Sequence, residues 1–243
     1  MGNLNFEATI WQELIKFDKA KGFFKPKSNV LVGLSGGADS VALLHFVKQM
    51  SLKKHFSAYA CHINHGLRKA AADDAVFSKL IAAKLGVPFL LKKANVKSLA
   101  KKENLSIEHA ARKARYKVLE ETAKKLGCSK IALAHHLDDN AETILLNILR
   151  GTKAKGLLGI PVCRQIGKIW IIRPFLCITK EQVLKYIKAN SLDFINDESN
   201  GDEVFTRNWV RNSLLPLLEK KQPKIRQHLF CISGDVAKYI KNG

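Results

Sequence analysis

Six consecutive residues, Ser35-Gly36-Gly37-Ala38-Asp39-Ser40, bring two hydroxyls, two glycines and a carboxylate to the end of the apolar run Asn29–Leu34. The overlapping segment Gly33-Leu34-Ser35-Gly36-Gly37 fits the G-x-S-x-G spacing of a serine nucleophile elbow, in which a sharp turn exposes the hydroxyl for attack. The same letters fit a glycine-rich phosphate cradle, where the backbone approaches an anion and the next helix aims its unpaired N–H groups at it. Position favours the cradle. A hydrolase elbow normally follows several strands and precedes its acid and its histidine, whereas this loop follows what reads as the first strand of the sheet. Beyond residue 136 the only histidine is His228, with no evident acid to orient it.

A carboxylate beside a phosphate is repulsive unless a cation stands between them. Mg2+ bridging Asp39 to the phosphates removes the repulsion, and a plain helix N-cap is the alternative role for Asp39. No lysine stands where a Walker loop requires Gly-Lys-Ser/Thr, so ATP and Mg2+ are expected in a loop of a different kind.

Three further stretches carry chemistry. Cys61-His62-Ile63-Asn64-His65-Gly66-Leu67-Arg68 and Ala134-His135-His136-Leu137-Asp138-Asp139-Asn140-Ala141-Glu142-Thr143 each follow an apolar run. Both therefore lie at the carboxyl ends of expected strands, the edge where open α/β sheets bind ligands. The histidines and acids of the second could hold a transition metal, with His62 and His65 joining; acids near a triphosphate more simply hold Mg2+, through Asp39 and through Asp138 or Asp139. Helix-capping acids and satisfied core histidines are the plainer alternative. The third stretch, Glu108-His109-Ala110-Ala111-Arg112-Lys113-Ala114-Arg115-Tyr116, puts Glu108, Arg112 and Arg115 along one helix edge at i,i+4 and i,i+3. That edge is a solvated salt-bridge ladder or a pair of guanidiniums that grips phosphate or polarises a carbonyl.

The elements that must position these residues read as an alternation. A helical opening at 5–16 precedes strand 29–34 and helix 41–50, the latter starting near Asp39; strand 57–63, helix 70–85, strand 88–91, helix 106–126, strand 130–134 and helix 138–149 follow. This pattern predicts an α/β fold, a Rossmann-like parallel sheet with helices on both faces. From Gly151 the texture becomes glycine-punctuated loop, with one more strand at 169–172, a helix at 179–189 and a mostly helical tail from about 208. Residues 1–178 are the expected catalytic domain and 179–243 its small helical extension.

Lys and Arg number 41 against 21 Asp and Glu, a formal charge of +20 spread along 243 residues. Such a field attracts polyanions, and a nucleic acid is the economical partner; a lysine-rich, solubility-driven composition is the bland alternative. No apolar run approaches the roughly 18 residues of a membrane span, and the N-terminus lacks a basic-then-apolar signal layout, which predicts a soluble, cytoplasmic protein without a membrane partner. The five cysteines are scattered with no C-x-x-C pair, as expected of thiols in a reducing compartment.

S-G-G-x-D-S at 35–40 resembles the pyrophosphatase loop of the N-type ATP pyrophosphatases, which cleave ATP between its α and β phosphates and adenylate a substrate. With H-x-N-H-G-L-R at 62–68, E-x-A-A-R-x-x-R-Y at 108–116, H-H-x-D-D-x-A-E-T at 135–143, Arg150-Gly151, Gly156-Leu157, Arg173-Pro174, Asp197–Asn200, Arg207-Asn208 and Arg211, the chain is similar to the tRNA(Ile)-lysidine synthetases from about residue 28 to 218. Ala134, Asn140, Lys153 and Phe205 depart from the pattern, and many relatives carry further C-terminal domains that help to grip tRNA.

The resemblance implies that the wobble cytidine of isoleucine tRNA with anticodon CAU is adenylated by ATP at its 2-oxygen and then joined to free L-lysine. It implies a nucleotide site of Ser35, Gly36, Gly37, Ala38, Asp39 and Ser40, with His62, Asn64 and His65 beside it, and Mg2+ on Asp39. Arg112, Arg115, Asp138, Asp139, His135 and His136 would serve catalysis. Glu142, Arg68, Arg150, Asn200, Arg207, Asn208 and Arg211 would serve lysine or tRNA binding. A homodimer remains an open expectation. A tRNA cytidine thiolase is the nearest rival within the superfamily and would call for C-x-x-C pairs; a serine hydrolase using Ser35 and a non-catalytic RNA-binding module are rivals from other classes.

Overall fold

The computed structural model describes residues 2–66, 71–195 and 204–242. Its first half alternates helix and strand in chain order: α1 (Gly2–Lys21), β1 (Val30–Gly33), α2 (Ala38–Lys54), β2 (Ala58–Asn64), α3 (Ala71–Lys84) and β3 (Phe89–Lys93). Two helices, α4 (Val96–Glu103) and α5 (Ile107–Lys125), precede β4 (Lys130–Ala132) and α6 (Leu137–Leu149). After a 3-10 turn at Ala154–Leu158 come the hairpin strands β5 (Cys163–Ile166) and β6 (Ile169–Ile172), a second 3-10 turn at Pro174–Cys177 and the helix α7 (Lys180–Ala189). The chain closes with α8 (Val204–Trp209), a π-helical turn over Val210–Leu214, α9 (Leu215–Lys221) and α10 (Ile225–Asn242).

The six strands form one sheet in the order β3-β2-β1-β4-β6-β5. β1 pairs in parallel with β2 (Val30 opposite Ala58) and with β4 (Val30 opposite Lys130), so it is central. Val30, Leu31 and Val32 are each wholly buried, which is why the strand reads as a continuous apolar run instead of an alternation. Val30 and Val32 face a core shared with α1, α2 and α7; Leu31 faces a second core with Leu119 and Ala123 of α5. Both faces are thus covered, as the alternation predicts.

Two elements were not among those expected. The edge strand β5 pairs antiparallel with β6, Cys163 opposite Ile172, where a loop was expected. Its residues 163–166 alternate too little in polarity to announce a strand, and the tight turn that makes the hairpin rests on Gly167 at φ +56°. Between the expected strand 88–91 and helix 106–126, the segment 96–103 forms the two-turn helix α4, capped by the Asn95 side chain accepting from Ser98 N–H.

The chain runs from β1 outward to β2 and β3, then returns past β1 to place β4 on its other side. This reversal is a topological switch point, and the loops that leave β1 and β4 at their carboxyl ends open next to each other. Two later elements close on the same crevice. α7 joins the main core through Val183, Tyr186 and Ile187, while Leu229 of α10 packs with Ala141, Ile144 and Leu146 of α6.

Candidate active site

The loop after β1 is held in shape by its own serines. Ser40, 5% exposed, accepts from Ser35 N–H at 3.1 Å, donates to Gly37 C=O at 2.9 Å, and lies 3.1 Å from the Ser35 hydroxyl. Gly36 adopts φ +93°, a conformation that favours glycine, and a Cβ there would press at 3.1 Å on Ile195 Cδ1 and at 3.3 Å on Ser78 Oγ. Ile195 N–H donates to Gly36 C=O at 2.9 Å and fixes the loop from the far side. No side chain caps α2 at Gly37, so its positive end stays open to an anion. The Ser35 hydroxyl contacts Ser40 and Gly37 N–H, with no histidine among these partners. That is a cradle's geometry and not a nucleophile's.

Behind the loop, His62 Nδ1 lies 2.9 Å from Leu34 C=O and 3.1 Å from Ser78 Oγ. Asn64 accepts from Gly66 N–H at 2.8 Å and donates to Ala71 C=O at 3.1 Å. Both side chains shape the turns around the loop from buried or half-buried positions.

The loop after β4 brings the acids. His136 precedes α6 and is surrounded by three carboxylates: Asp138 Oδ2 at 3.5 Å from Nδ1, Asp139 Oδ2 at 3.5 Å and Asp39 Oδ2 at 4.0 Å from Nε2. Burial works against its charge, but the Asp138 hydrogen bond and the fields of Asp139, Asp39 and Asp138 outweigh it and raise its pKa. Its Nδ1 also accepts from Asp139 N–H at 3.4 Å, so the ring caps the start of α6 while it lies among the carboxylates. Asp138 is pushed up by burial and pulled further down by His136, Lys180 N–H and Arg226, ending below the usual carboxylate range. For Asp139 burial prevails and its carboxyl is raised, despite the His136 charge.

Basic groups close this cluster from distant parts of the chain. Lys180 Nζ lies 2.6 Å from Asp39 Oδ1, and its backbone N–H donates to Asp138 Oδ2 at 2.8 Å. Arg226 pairs with Asp138 Oδ1 at 2.9 Å and with Glu219. Glu142, one turn into α6 and only 1% exposed, accepts from Arg211 Nε at 2.7 Å, Arg211 Nη2 at 3.0 Å and Arg207 Nε at 3.1 Å. Arg207 and Arg211 are four residues apart, one on α8 and one in the π-helical turn, a local widening that often marks functional positions.

A second, cationic group lies on the other side of His136. Arg173, itself 1% exposed, donates from Nε to His135 Nδ1 at 3.3 Å and from Nη2 to the Tyr116 hydroxyl at 3.4 Å; Arg112 lies over the Tyr116 ring at 5.4 Å. Burial, then Arg173, Arg112 and Arg115, hold His135 neutral with a pKa near 3. Burial, Arg115 and His62 likewise lower His65 to about 4, and its Nδ1 is buried without a hydrogen-bond partner. Two adjacent histidines therefore carry opposite electrostatic tasks, His136 among acids and His135 among arginines.

Among the described residues no three His, Cys, Asp or Glu side chains form a metal cluster by themselves. Asp39, 30% exposed beside the open end of α2, fits the other mode of holding Mg2+, in which one or two carboxylates are completed by phosphate oxygens and water. Asp138 has both oxygens engaged, by Arg226 and Lys180 N–H, and one Asp139 oxygen accepts from His136 N–H.

The fold thus collects Ser35, Gly36, Gly37, Ala38, Asp39, Ser40, His136, Asp138, Asp139, Glu142, Arg207 and Arg211 along one crevice, with His135 and Arg112 next to it. Asn208 lies half-buried on α8, and Arg150 is exposed at the far end of α6. Arg68 and Asn200 lie outside the described residues. Lys180 and Arg226 carry no sequence signal near the motifs; a Thr179 capping box marks a helix start but not what its first side chain reaches.

Comparisons with known proteins agree with this geometry. Residues 7–218 match the profile of a PP-loop domain. The chain is 34% identical to the tRNA(Ile)-lysidine synthase of Petrotoga mobilis over 94% of its own length and 72% of that protein's. It is 37% identical to the tRNA(Ile)-lysidine synthase of Bacteroides thetaiotaomicron over 90% of its length, but spans only 50% of that relative. In structure it resembles the U34-tRNA thiolase of Methanococcus maripaludis, with a TM-score of 0.84 at 19% identity over 97% of this chain and 80% of the other. The NMN synthetase of Francisella tularensis is more distant, with a TM-score of 0.56 at 14% identity over 97% and 96% of the two chains.

Proposed function

Since the chain belongs to the PP-loop family, and within it to the tRNA(Ile)-lysidine synthases, we propose that it uses ATP to activate the wobble cytidine of isoleucine tRNA with anticodon CAU and joins free L-lysine to carbon 2. The observation that carries the reading is the meeting of the open end of α2 with the Asp39–His136–Asp138–Asp139 cluster at the switch point of the sheet. An anion site next to an acidic pocket suits a reaction between a polyphosphate and an ammonium-bearing substrate.

In this reading the 2-oxygen of cytosine attacks the α-phosphorus, pyrophosphate leaves, and the lysine ε-nitrogen then adds at carbon 2 and releases AMP. Mg2+ at Asp39 would neutralise charge on the departing pyrophosphate. The residues of the chain divide the remaining work. Gly36, Gly37 and Ala38 offer backbone to the phosphates, while Ser40 keeps the loop in the receiving conformation. Arg112, Arg115 and Arg173 would offset the negative charge that develops on the α-phosphate as it is attacked. The acidic cluster attracts the lysine ammonium.

That ammonium, with an ordinary pKa near 10.4, must lose a proton before it attacks. His135, lowered to about 3, is too weak a base for the task; His136, whose pKa is raised by the carboxylates around it, and Asp139, raised by burial, are the groups beside the acidic pocket that can take the proton. Arg207 and Arg211, braced by Glu142, would meet tRNA phosphate at the rim. The wobble base must leave the anticodon stack to enter the crevice, and the +20 formal charge favours the polyanion's approach.

The test is pyrophosphate release from ATP and Mg2+ with CAU isoleucine tRNA, with and without lysine, followed by mass analysis of the wobble nucleoside. A lysine-bearing cytidine is the expected product. Pyrophosphate with an unmodified or sulfur-bearing nucleoside would move the substrate elsewhere in the superfamily, and no turnover would overturn the site.

A further inference from the structure

PP-loop residues 35–40 contain no lysine, yet the folded chain places one against them from 141 positions away: Lys180 Nζ is 2.6 Å from Asp39 Oδ1. We propose that Lys180 is the phosphate-binding lysine of this loop, parked on Asp39 in the free protein and passed to the β and γ phosphates when the metal–nucleotide takes Asp39. The inference rests on the ATP reading of the preceding section and adds a residue to it.

Three observations support it. First, the position of Lys180 is built and not incidental. It is the first residue of α7, whose capping box joins Thr179 to Gln182, and its own N–H is spent on Asp138. The helix is keyed to α2 by the His45–Tyr186 contact at 2.7 Å and by the buried Val183, Tyr186 and Ile187. The Cα is therefore fixed, while the four-carbon stem remains free to swing.

Second, the pair is accessible. Lys180 is 39% and Asp39 30% exposed, so their ion pair costs little to break when another cation arrives at the carboxylate. Third, the other basic groups of the cluster are committed elsewhere: Arg207 and Arg211 to buried Glu142, and Arg226 to Asp138 and Glu219. Lys180 is tied to the one carboxylate that Mg2+ itself would claim. Once that carboxylate is taken, its ammonium is released next to Asp39 in the first turn of α2, whose end carries no side-chain cap.

This exchange predicts effects of opposite sign from one substitution, which a merely structural role would not produce. Binding is measured by titration calorimetry on the whole chain for wild type, Lys180→Gln and Lys180→Arg, with Mg2+-pyrophosphate, Mg2+-ATP, AMP, and Mn2+ alone as probes. In Lys180→Gln, pyrophosphate and ATP should weaken by about tenfold or more, the loss of one charge-assisted contact. AMP, which lacks the β and γ phosphates, should be unchanged within about twofold, and Mn2+ alone should bind more tightly because Asp39 has lost its competitor. Lys180→Arg should restore pyrophosphate binding in large part.

Pyrophosphate binding by Lys180→Gln at wild-type strength overturns the inference while leaving the ATP site intact. So does weakening of AMP and pyrophosphate alike, which marks Lys180 as a structural prop. Wild-type protein that binds neither ATP nor pyrophosphate overturns the site reading and the inference together.

Discussion

Glu142 offers the sharpest test of how this site is held together. Its carboxylate is 1% exposed and receives three guanidinium N–H groups at 2.7, 3.0 and 3.1 Å, from two arginines that belong to the C-terminal segment. Glu142→Gln keeps the shape, removes the charge, and turns an amide N–H2 toward a guanidinium. Breaking a buried pair typically costs 3–5 kcal/mol, about the largest electrostatic penalty a single substitution gives. Here Arg207 and Arg211 are 41% and 51% exposed, so water recovers part of their solvation, and we expect about 2–3 kcal/mol. For a chain of this size that corresponds to a fall of about 5–10 °C in Tm. The assay is thermal unfolding by circular dichroism, run as a double-mutant cycle with Arg211→Gln. A coupling energy of about 1–2 kcal/mol is expected, because the second substitution removes little once the carboxylate is gone. A Tm within about 2 °C of wild type, or two strictly additive substitutions, would refute the claim that Glu142 anchors the C-terminal helices to the site.

Two further outcomes follow from the geometry. Gly36→Ala must place a side chain at φ +93° and against Ile195 and Ser78, so Mg2+-ATP affinity should fall by about tenfold with the far-UV spectrum unchanged, as titration calorimetry would register. His135 has a folded pKa near 3 against an unfolded value near 6.5, so the unfolded chain binds the extra proton and stability is lost as pH falls from 6.5 toward 3. His135→Gln, which retains an acceptor for Arg173 Nε, should remove about 2 kcal/mol of the acid destabilisation between pH 7 and 5, measured by urea unfolding at both values; equal slopes for the two proteins would count against a buried neutral ring.

Much of the crevice could be read before folding because its parts are local. A β-branched run ending in Ser-Gly-Gly-Ala-Asp-Ser encodes strand, turn and helix start within a dozen residues, and the glycine at 36 is favoured by the turn itself. Motifs that end strands must lie on one edge of a parallel sheet, so 35–40, 62–66 and 135–143 were bound to converge. Even the His-His-x-Asp-Asp segment declares its chemistry class, although not which histidine serves which side.

The rest belongs to tertiary structure, because it depends on field and contact between segments far apart in the chain. His135 and His136 are neighbours of identical type, yet one is buried among Arg173, Arg112 and Arg115 and the other among Asp39, Asp138 and Asp139, so their protonation diverges. Glu142 looks like a ligand-facing acid on a helix, and only the fold shows that it also receives two arginines from 65 and 69 residues later. Lys180 gives no local sign of its task, since only the docking of α7 on α2 carries its ammonium to Asp39. Sequence determines which groups a segment can offer; the packing of distant helices decides which charge each group meets, and that decides its chemistry.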